Sequence, residues 1–376
     1  MSNVTRLAAV ALFWAAVLAW LWLREVRART RSQRINQAMS ELSLAEQALG
    51  QARQHAEQGA LDQAMESFQL CLRHLACVRE VSPLPPDKRE RSAFIIAHHG
   101  CGWILAQRGD HEGAIREYKI ALHEEEHAAD VGSWDLLCFN LAQSLATLGR
   151  LEEATRYAEL SVKEAEKRGH TALAIQALRN LAHNQIALRH WDAATQTLHR
   201  CITLLEQPPA ADAESRAAAY LDLGRALEGG GRLKEALRAY RRALHLLRGT
   251  ANEEYRPAIM HLIGQAQFAL GRYDGALFHY GKVLAYLQQA RRIDDVATVY
   301  SEIACVKFCR GHLSDAAADF RRSLAASLLL DDKQSAQKAL LCIGGVVAAI
   351  RGVGTDGAVP LPAPPQGDLL PGSDRE

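Results

Sequence analysis

The sequence predicts an all-α protein: a right-handed superhelical α-solenoid of about seven helix pairs, closed by a C-terminal capping helix and preceded by one transmembrane helix. Three observations carry this expectation. A glycine, an alanine five residues on, an aromatic four further and a small residue three beyond recur at intervals of about 40 residues. Within each interval apolar residues fall at i, i+3, i+4 and i+7, the period of one helix face. Ahead of the first interval stands an uncharged run over residues 7–23.

The unit at 217–247, AAAYLDLGRALEGGGRLKEALRAYRRALHLL, shows the logic best. In its first half Tyr220, Leu223, Gly224 and Leu227 share a face, and Gly224 leaves room for a close neighbour at a cost of roughly 1 kcal/mol relative to Ala. Gly229, Gly230 and Gly231 make the corner. In the second half Ala236, Tyr240, Ala243 and Leu247 form the facing stripe, small and large residues alternating so that two helices interdigitate. The same pattern runs through Gly59, Ala64, Phe68 and Cys71; Gly109, Ala114, Tyr118 and Ala121; Gly271, Ala276, Tyr280 and Val283; and Gly311, Ala316, Phe320 and Ser323. Gly149, Ala154, Ala158 and Ser161 lack the aromatic, and Arg189 replaces the glycine ahead of Ala194, Leu198 and Cys201. Self-similarity at such a period is the mark of a repeat array, in which each unit buries its apolar face only against its neighbours.

These residues resemble the glycine, aromatic and alanine positions of the tetratricopeptide repeat family over nearly all of residues 40–330. The intervals exceed that family's usual 34 residues and resemble its long-repeat branch, found in kinesin light chains, Pins-type polarity adaptors and some bacterial peptide-sensing regulators. The resemblance implies a solenoid whose inner face binds peptides, and it names no partner.

Taken in order, a short segment 1–6 leads into the run LAAVALFWAAVLAWLWL at 7–23. As a helix the run spans about 25 Å, close to a hydrocarbon core, with Trp20 and Trp22 at the interface. Arg24, Arg27, Arg29, Arg31 and Arg34 follow it, in a basic juxtamembrane linker at 24–39, whereas Arg6 alone precedes it. The positive-inside rule then puts the repeats in the cytosol on a single-pass anchor, at a mitochondrial outer membrane or a bacterial inner membrane. A cleaved secretory signal fits less well because no A-x-A site closes the run.

The solenoid with its cap occupies 40–350. Its helix pairs are expected at 45–56 and 61–75, 94–108 and 112–129, 135–148 and 151–168, and 172–188 and 191–205, with the later units following the same corners. Pro83, Pro85 and Pro86 mark an exposed loop over 81–91, Pro208 and Pro209 lengthen another connection, and Pro257 opens the sixth unit in a first turn. A helix at 334–350 caps the open end. The tail 351–376, with Pro360, Pro362, Pro364, Pro365 and Pro371, has no apolar periodicity and is expected to be disordered.

At 48% hydrophobic and 23% charged, with a net charge of +1, the chain reads as an ordinary folded protein without the basic face that nucleic acid requires. Cys71, Cys101, Cys138 and Cys201 sit where the repeat wants a small buried residue, so they read as core thiols. Cys305 and Cys309 lie i, i+4 and read as unrelated free thiols.

Catalytic and metal chemistry find little support. His123, Glu124 and His127 match H-E-x-x-H, whose two His bind zinc and whose Glu is a general base, so a zinc-dependent peptidase is the alternative from another class. They stand in a solvated glutamate run, without a recognisable third ligand. The cluster of His98, His99, Cys101 and Trp103 reads as core packing for His98 and Cys101. No phosphate-binding glycine loop is present, and no enzyme, metal or cofactor is expected.

Binding is expected on the inner surface of the first helices. Asn140 and Asn180 hold the same place in successive units, and an amide column can pair with the backbone of an extended peptide. Gly100, Asp222, Leu262 and Glu302 interrupt that column. Trp103, Gln143, His183, Arg225 and Gln265 lie three residues beyond it; His99, Arg179 and His261 lie one before. Arg179 and Arg225 could meet a carboxylate and Trp103 an apolar anchor. The expected function is a membrane-anchored scaffold or adaptor that holds a peptide segment of a partner protein, with a receptor for a targeting or signalling peptide as the alternative.

Overall fold

A computed structural model describes residues 3–126, 134–207, 212–250, 252–290 and 292–351. Among the described residues there are fifteen α-helices and one short 3-10 helix. In chain order they are α1 (Asn3–Glu57), α2 (Leu61–Val81), α3 (Lys88–Gln107), α4 (His111–Glu126), α5 (Trp134–Thr147), α6 (Leu151–Arg168), α7 (Thr171–Ala187) and α8 (Trp191–Glu206). There follow α9 (Ala213–Gly229), α10 (Leu233–Leu246), the 3-10 helix Glu253–Tyr255, α11 (Arg256–Ala269), α12 (Tyr273–Gln289), α13 (Ile293–Cys309), α14 (Leu313–Leu329) and α15 (Lys333–Ile350).

Each corner read from the sequence is a helix terminator of one kind. Gly59, Gly109, Gly149, Gly231, Gly271 and Gly311 all have φ between 69° and 81°, and Arg189 adopts the same left-handed conformation at 59°. At each, the corner N–H bonds back three residues and the next N–H back five, as in Gly231 N to Glu228 O at 2.9 Å and Arg232 N to Leu227 O at 2.8 Å. This double closure satisfies the carbonyls a helix end leaves open and turns the chain sharply into the next helix.

The repeated side chains are the core. Ala64, Ala114, Ala154, Ala194, Ala236, Ala276 and Ala316 are all wholly buried, and Phe68, Tyr118, Tyr240, Tyr280 and Phe320 behind them are nearly so. A methyl group on Gly102, Gly224 or Gly264 would run into the ring of Tyr118, Tyr240 or Tyr280 respectively, so the bare backbone of the first helix is the seat of the second helix's aromatic. Burying each ring contributes about 1.5–3 kcal/mol, more than the propensity lost by glycine. Where the small residue is serine its hydroxyl is satisfied locally: Ser161 Oγ donates to Asp135 O at 2.8 Å and Ser323 Oγ to Ala297 O at 2.7 Å. Tyr220 departs from the expected stripe; it is half-buried and its hydroxyl donates to Glu206 at 3.0 Å.

The described chain forms two compact units, Met1–Ala177 and Leu178–Glu376, with the division inside α7. In the first, α1 pairs with α2, α3 with α4 and α5 with α6. Ala38, Leu42, Ala45, Leu49 and Ala52 of α1 join Phe68, Leu75, Cys101 and Ile104 in one apolar cluster. The proline loop is shorter than expected, because Asp87 caps α3 through Glu90 N at 2.8 Å and draws 88–91 into the helix. In the second unit α9 pairs with α10, α11 with α12 and α13 with α14, and Pro257 opens α11 as expected. Helix α15 packs on α14 through Ala336, Ala339, Cys342 and Val346 and leaves Leu340, Leu341 and Ile350 exposed.

The membrane anchor is overturned. Residues 7–23 form no separate span; they belong to the 55-residue helix α1, which runs on through residues 24–39 and into the repeat core. Among the described residues no helix is long and apolar enough to cross a membrane. The run is at the short end of what a span needs, about 17 to 25 residues, and the same helix continues without a break through a dense arginine flank. The single-pass topology, the cytosolic orientation and the two membranes drawn from that run fall with it. The tail from residue 352, Pro208 and Pro209 lie outside the described residues.

Candidate functional site

Some of the polar residues on the first helices join one first helix to the next within each compact unit. In the first, Asn140 Nδ2 of α5 lies 2.7 Å from His99 Nε2 of α3. Burial lowers the His99 pKa from 6.5 to about 4, so the ring is neutral and Nε2 accepts from the amide. The Tyr118 ring stands 5.9 Å away, centroid to centroid. Trp103 is half-buried against the apolar cluster of α1–α3, and Gln143 is exposed one turn beyond Asn140.

In the second, Asp222 of α9 is the centre. Arg179 of α7 donates to its Oδ2 through Nη2 at 3.1 Å and Nε at 3.3 Å, and His183 Nε2 stands 3.1 Å from the same oxygen. Burial by itself would raise the Asp222 pKa; the hydrogen bond from His183 and the charges of His183 and Arg179 outweigh it, and the net shift is downward. Asn180 is half-buried and its Nδ2 has no protein partner. Arg225 is half-buried one turn beyond Asp222.

One expected groove residue is corrected outright. His261 of α11 is wholly buried, and its Nε2 lies 2.5 Å from Glu302 Oε2 of α13, a carboxylate only 1% exposed. Gln265 Nε2 donates to the other oxygen of Glu302 at 2.9 Å. The glycine at 264 admits the Tyr280 ring beside His261, and that packing closes His261 off from any groove.

Helix α9 also floors a trough. Glu214, Ala217, Ala218, Leu221, Asp222 and Arg225, a single stripe of that helix, line a cavity of about 320 Å³ with Arg179 and His183 on one side. Leu247, Asn252, Tyr255 and Ile259 form the other side, from the connection between α10 and α11 and the start of α11. The arrangement can receive an apolar group and hold a polar one; nothing in it resembles an activated nucleophile.

The metal reading finds a different use for its glutamate. Glu124 Oε1 accepts from Arg79 Nη2 at 3.0 Å, and the same guanidinium reaches Glu90 through Nε at 3.1 Å. His123 is exposed, and His127 lies outside the described residues. Among the described residues no group of three His, Cys, Asp or Glu could hold a metal ion. His98, placed in the core from the sequence, is half-buried with Nδ1 2.6 Å from Glu117 Oε2. Burial raises the Cys305 thiol to about 12 and raises Cys309 as well, which suppresses the reactive thiolate.

Residues 137–168 and 217–246 match the family model of the tetratricopeptide repeat. Over these two segments the repeat is of the tetratricopeptide type. No curated protein matches the chain. Among solved structures the apo form of RapI is similar, at 11% identity and TM-score 0.50, over 69% of this chain and 99% of that one. A signal transduction ATPase with numerous domains and a tetratricopeptide repeat sensor, from Pyrococcus horikoshii, is similar at 16% identity and TM-score 0.55, over 82% of this chain and 45% of that one. At such identities the likeness is one of fold. In the tetratricopeptide unit at 217–246, Asp222 and Arg225 fall outside the repeat pattern and are among the residues that line the trough.

Sequence reasoning missed Asp222 and Glu302 as anchors, reading them as gaps in an asparagine column. A signal was present: His99 and Asn140 are 41 residues apart, Arg179 and Asp222 are 43, and His261 and Glu302 are 41, close to one repeat in each case. The trough wall at Asn252 and Tyr255 carried no such signal, because it comes from a connection and not from the repeat.

Proposed function

We propose that this helical-repeat chain is a non-catalytic scaffold or adaptor of the long-repeat tetratricopeptide kind, holding a peptide segment of a partner protein on the inner faces of its first helices. The observation that carries this reading is the trough along α9, an apolar floor beside Arg179 and His183, which the buried Asp222 holds in place. Polar groups held in advance lose little entropy when a ligand arrives, so binding energy is not spent on ordering the receptor. His99, Trp103, Asn140 and Gln143 would contribute contacts in the first compact unit, and Arg179, Asn180, His183, Arg225 and Gln265 in the second. His261 has no place in this set.

The test is capture of partners from lysate by the full chain, compared with an Asn140→Ala, Asn180→Ala, Arg225→Glu variant of unchanged circular dichroism. A set of proteins retained by the wild type and lost by the variant supports the reading. An identical set on both would reject the inner face as the binding surface.

A further inference from the structure

Helix α15 is the first half of a repeat that lacks its second helix. In the earlier first helices the residue seven before the corner is small, and at Gly102, Gly224 and Gly264 a methyl group would strike the ring of Tyr118, Tyr240 or Tyr280 on the second helix. Gly345 holds that place in α15, seven before Gly352. Beyond its chain neighbours and the helix's own backbone, nothing stands within 4 Å of where its methyl would sit. Ala336, Ala339, Cys342 and Val346 bury the opposite side on α14. The open side is apolar: Leu340 is 56% exposed and Leu341 59%, whereas Ala219 and Val299, at the place of Leu340 in α9 and α13, are wholly buried.

The sequence that follows fits this seat in position and in charge. Leu361 comes nine residues after Gly352, the spacing that sets Tyr240 after Gly231 and Leu198 after Arg189. Pro360, Pro362 and Pro364 bar a second helix there, because an interior proline removes a hydrogen bond and clashes with the preceding turn. Such a stretch suits a polyproline chain, which rises about 3.1 Å per residue and needs no internal hydrogen bonds. Helix α15 carries Lys333 and Lys338 with no acidic residue, and Arg351 follows it. Residues 352–376 carry Asp356, Asp368, Asp374 and Glu376 against Arg375 alone.

We propose that residues 359–365 fold back along α15 as an extended chain and cap the solenoid in place of the missing helix, with Leu361 on Gly345 beside Leu341. Glycines at 352, 354 and 357 permit the reversal. The run from Leu361 to Asp368 is about 22 Å of polyproline chain, and from Gly345 to Lys333 about 18 Å of helix. Asp368 therefore reaches the Lys333 end while Asp356 stays near Arg351, so the charges match in the one direction the connection allows. A second copy fits less well, since an antiparallel pair of α15 helices would set Arg351 of one against Lys333 of the other.

The experiment uses the full chain with p-benzoylphenylalanine in place of Leu341, and separately of Ala348, irradiated and mapped by mass spectrometry. We expect a crosslink within the monomer to residues 359–365. Its yield should fall at least about fivefold in Leu361→Asp and in the Asp356→Lys, Asp368→Lys chain, each of unchanged circular dichroism. As a second readout, amide exchange across 340–348 should quicken about tenfold in Leu361→Asp without the photoprobe. A crosslink found in a dimer makes a second copy the occupant and overturns the proposal. So does a crosslink to another stretch, a yield and exchange rate indifferent to these variants, or no crosslink from either position.

Discussion

Arg179 and Asp222 stand 43 residues apart in the chain and meet through a guanidinium nitrogen 3.1 Å from Oδ2. His99 with Asn140 and His261 with Glu302 repeat this relationship, each pair linking the first helix of one repeat to the first helix of the next. An array in which helices touch only their neighbours has few long-range contacts to fix its register. A directional polar pair supplies one at each of these junctions, and it also sets the side chains that face the trough.

Asp222→Ala should therefore destabilise the chain by about 2 kcal/mol, since it strands a partly buried guanidinium, with some relief because Arg179 keeps a third of its exposure. The Asp222 pKa is lowered in the folded state, so its contribution is present above the unfolded carboxylate value of about 3.9 and is lost as pH falls through the folded value. Urea midpoints of wild type and Asp222→Asn should differ at pH 7 and converge in acid. Equal midpoints at pH 7 would show that the pair contributes nothing.

His99 acts in the same direction but at higher pH. Its pKa falls from 6.5 to about 4 on folding, so the unfolded chain binds more protons between those values and stability rises with pH across them. The wild type should lose about 1–2 kcal/mol more than His99→Gln between pH 7 and pH 4. A direct check is the imidazole NMR titration, in which His99 should stay neutral until about pH 4.

Two glycines should respond to alanine with opposite signs. A methyl on Gly224 strikes the Tyr240 ring, which is wholly buried and tied through its hydroxyl to Glu228 at 2.6 Å, so Gly224→Ala should cost about 1–3 kcal/mol despite the better helix propensity. Around Gly344 in α15 nothing beyond its chain neighbours and the helix's own backbone stands within 4 Å of where a methyl would sit, so Gly344→Ala should stabilise by up to about 1 kcal/mol. Thermal midpoints moving the same way in both would contradict the packing assigned to Tyr240.

Arg189 is the exposed non-glycine residue at a repeat corner, with φ of 59°. Arg189→Gly should relieve the steric cost of a side chain there and raise stability by about 0.5–1 kcal/mol, less the entropy that glycine adds to the unfolded chain. Chemical denaturation would register the gain, and a loss would show that the Arg189 side chain contributes through its own contacts.

Much of the repeat was legible because it is local. The corners at Gly59, Gly109, Gly149, Arg189, Gly231, Gly271 and Gly311 follow from a helix end that needs a left-handed residue, and all of them hold one. The buried alanines and aromatics follow from the helical period, and they are the core. The apolar run at 7–23 misled because the basic stretch after it was read as a separate linker, whereas one helix of 55 residues carries both into the repeat core.

Of the inner-face residues drawn from spacing, Arg179, His183 and Arg225 line the trough, but their pairing was not legible, because the partner stands one repeat away. His261 had the same spacing, yet a glycine at 264 and the Tyr280 ring enclose it.

The helices, their terminators and the stripe each helix buries are written in the local sequence, since they depend on neighbours three to five residues away. Which polar groups stay unengaged on a helix face is set by packing. That depends on what stands one repeat further on, where a carboxylate such as Asp222 or Glu302 can take up the donors that the helix face alone presents as free.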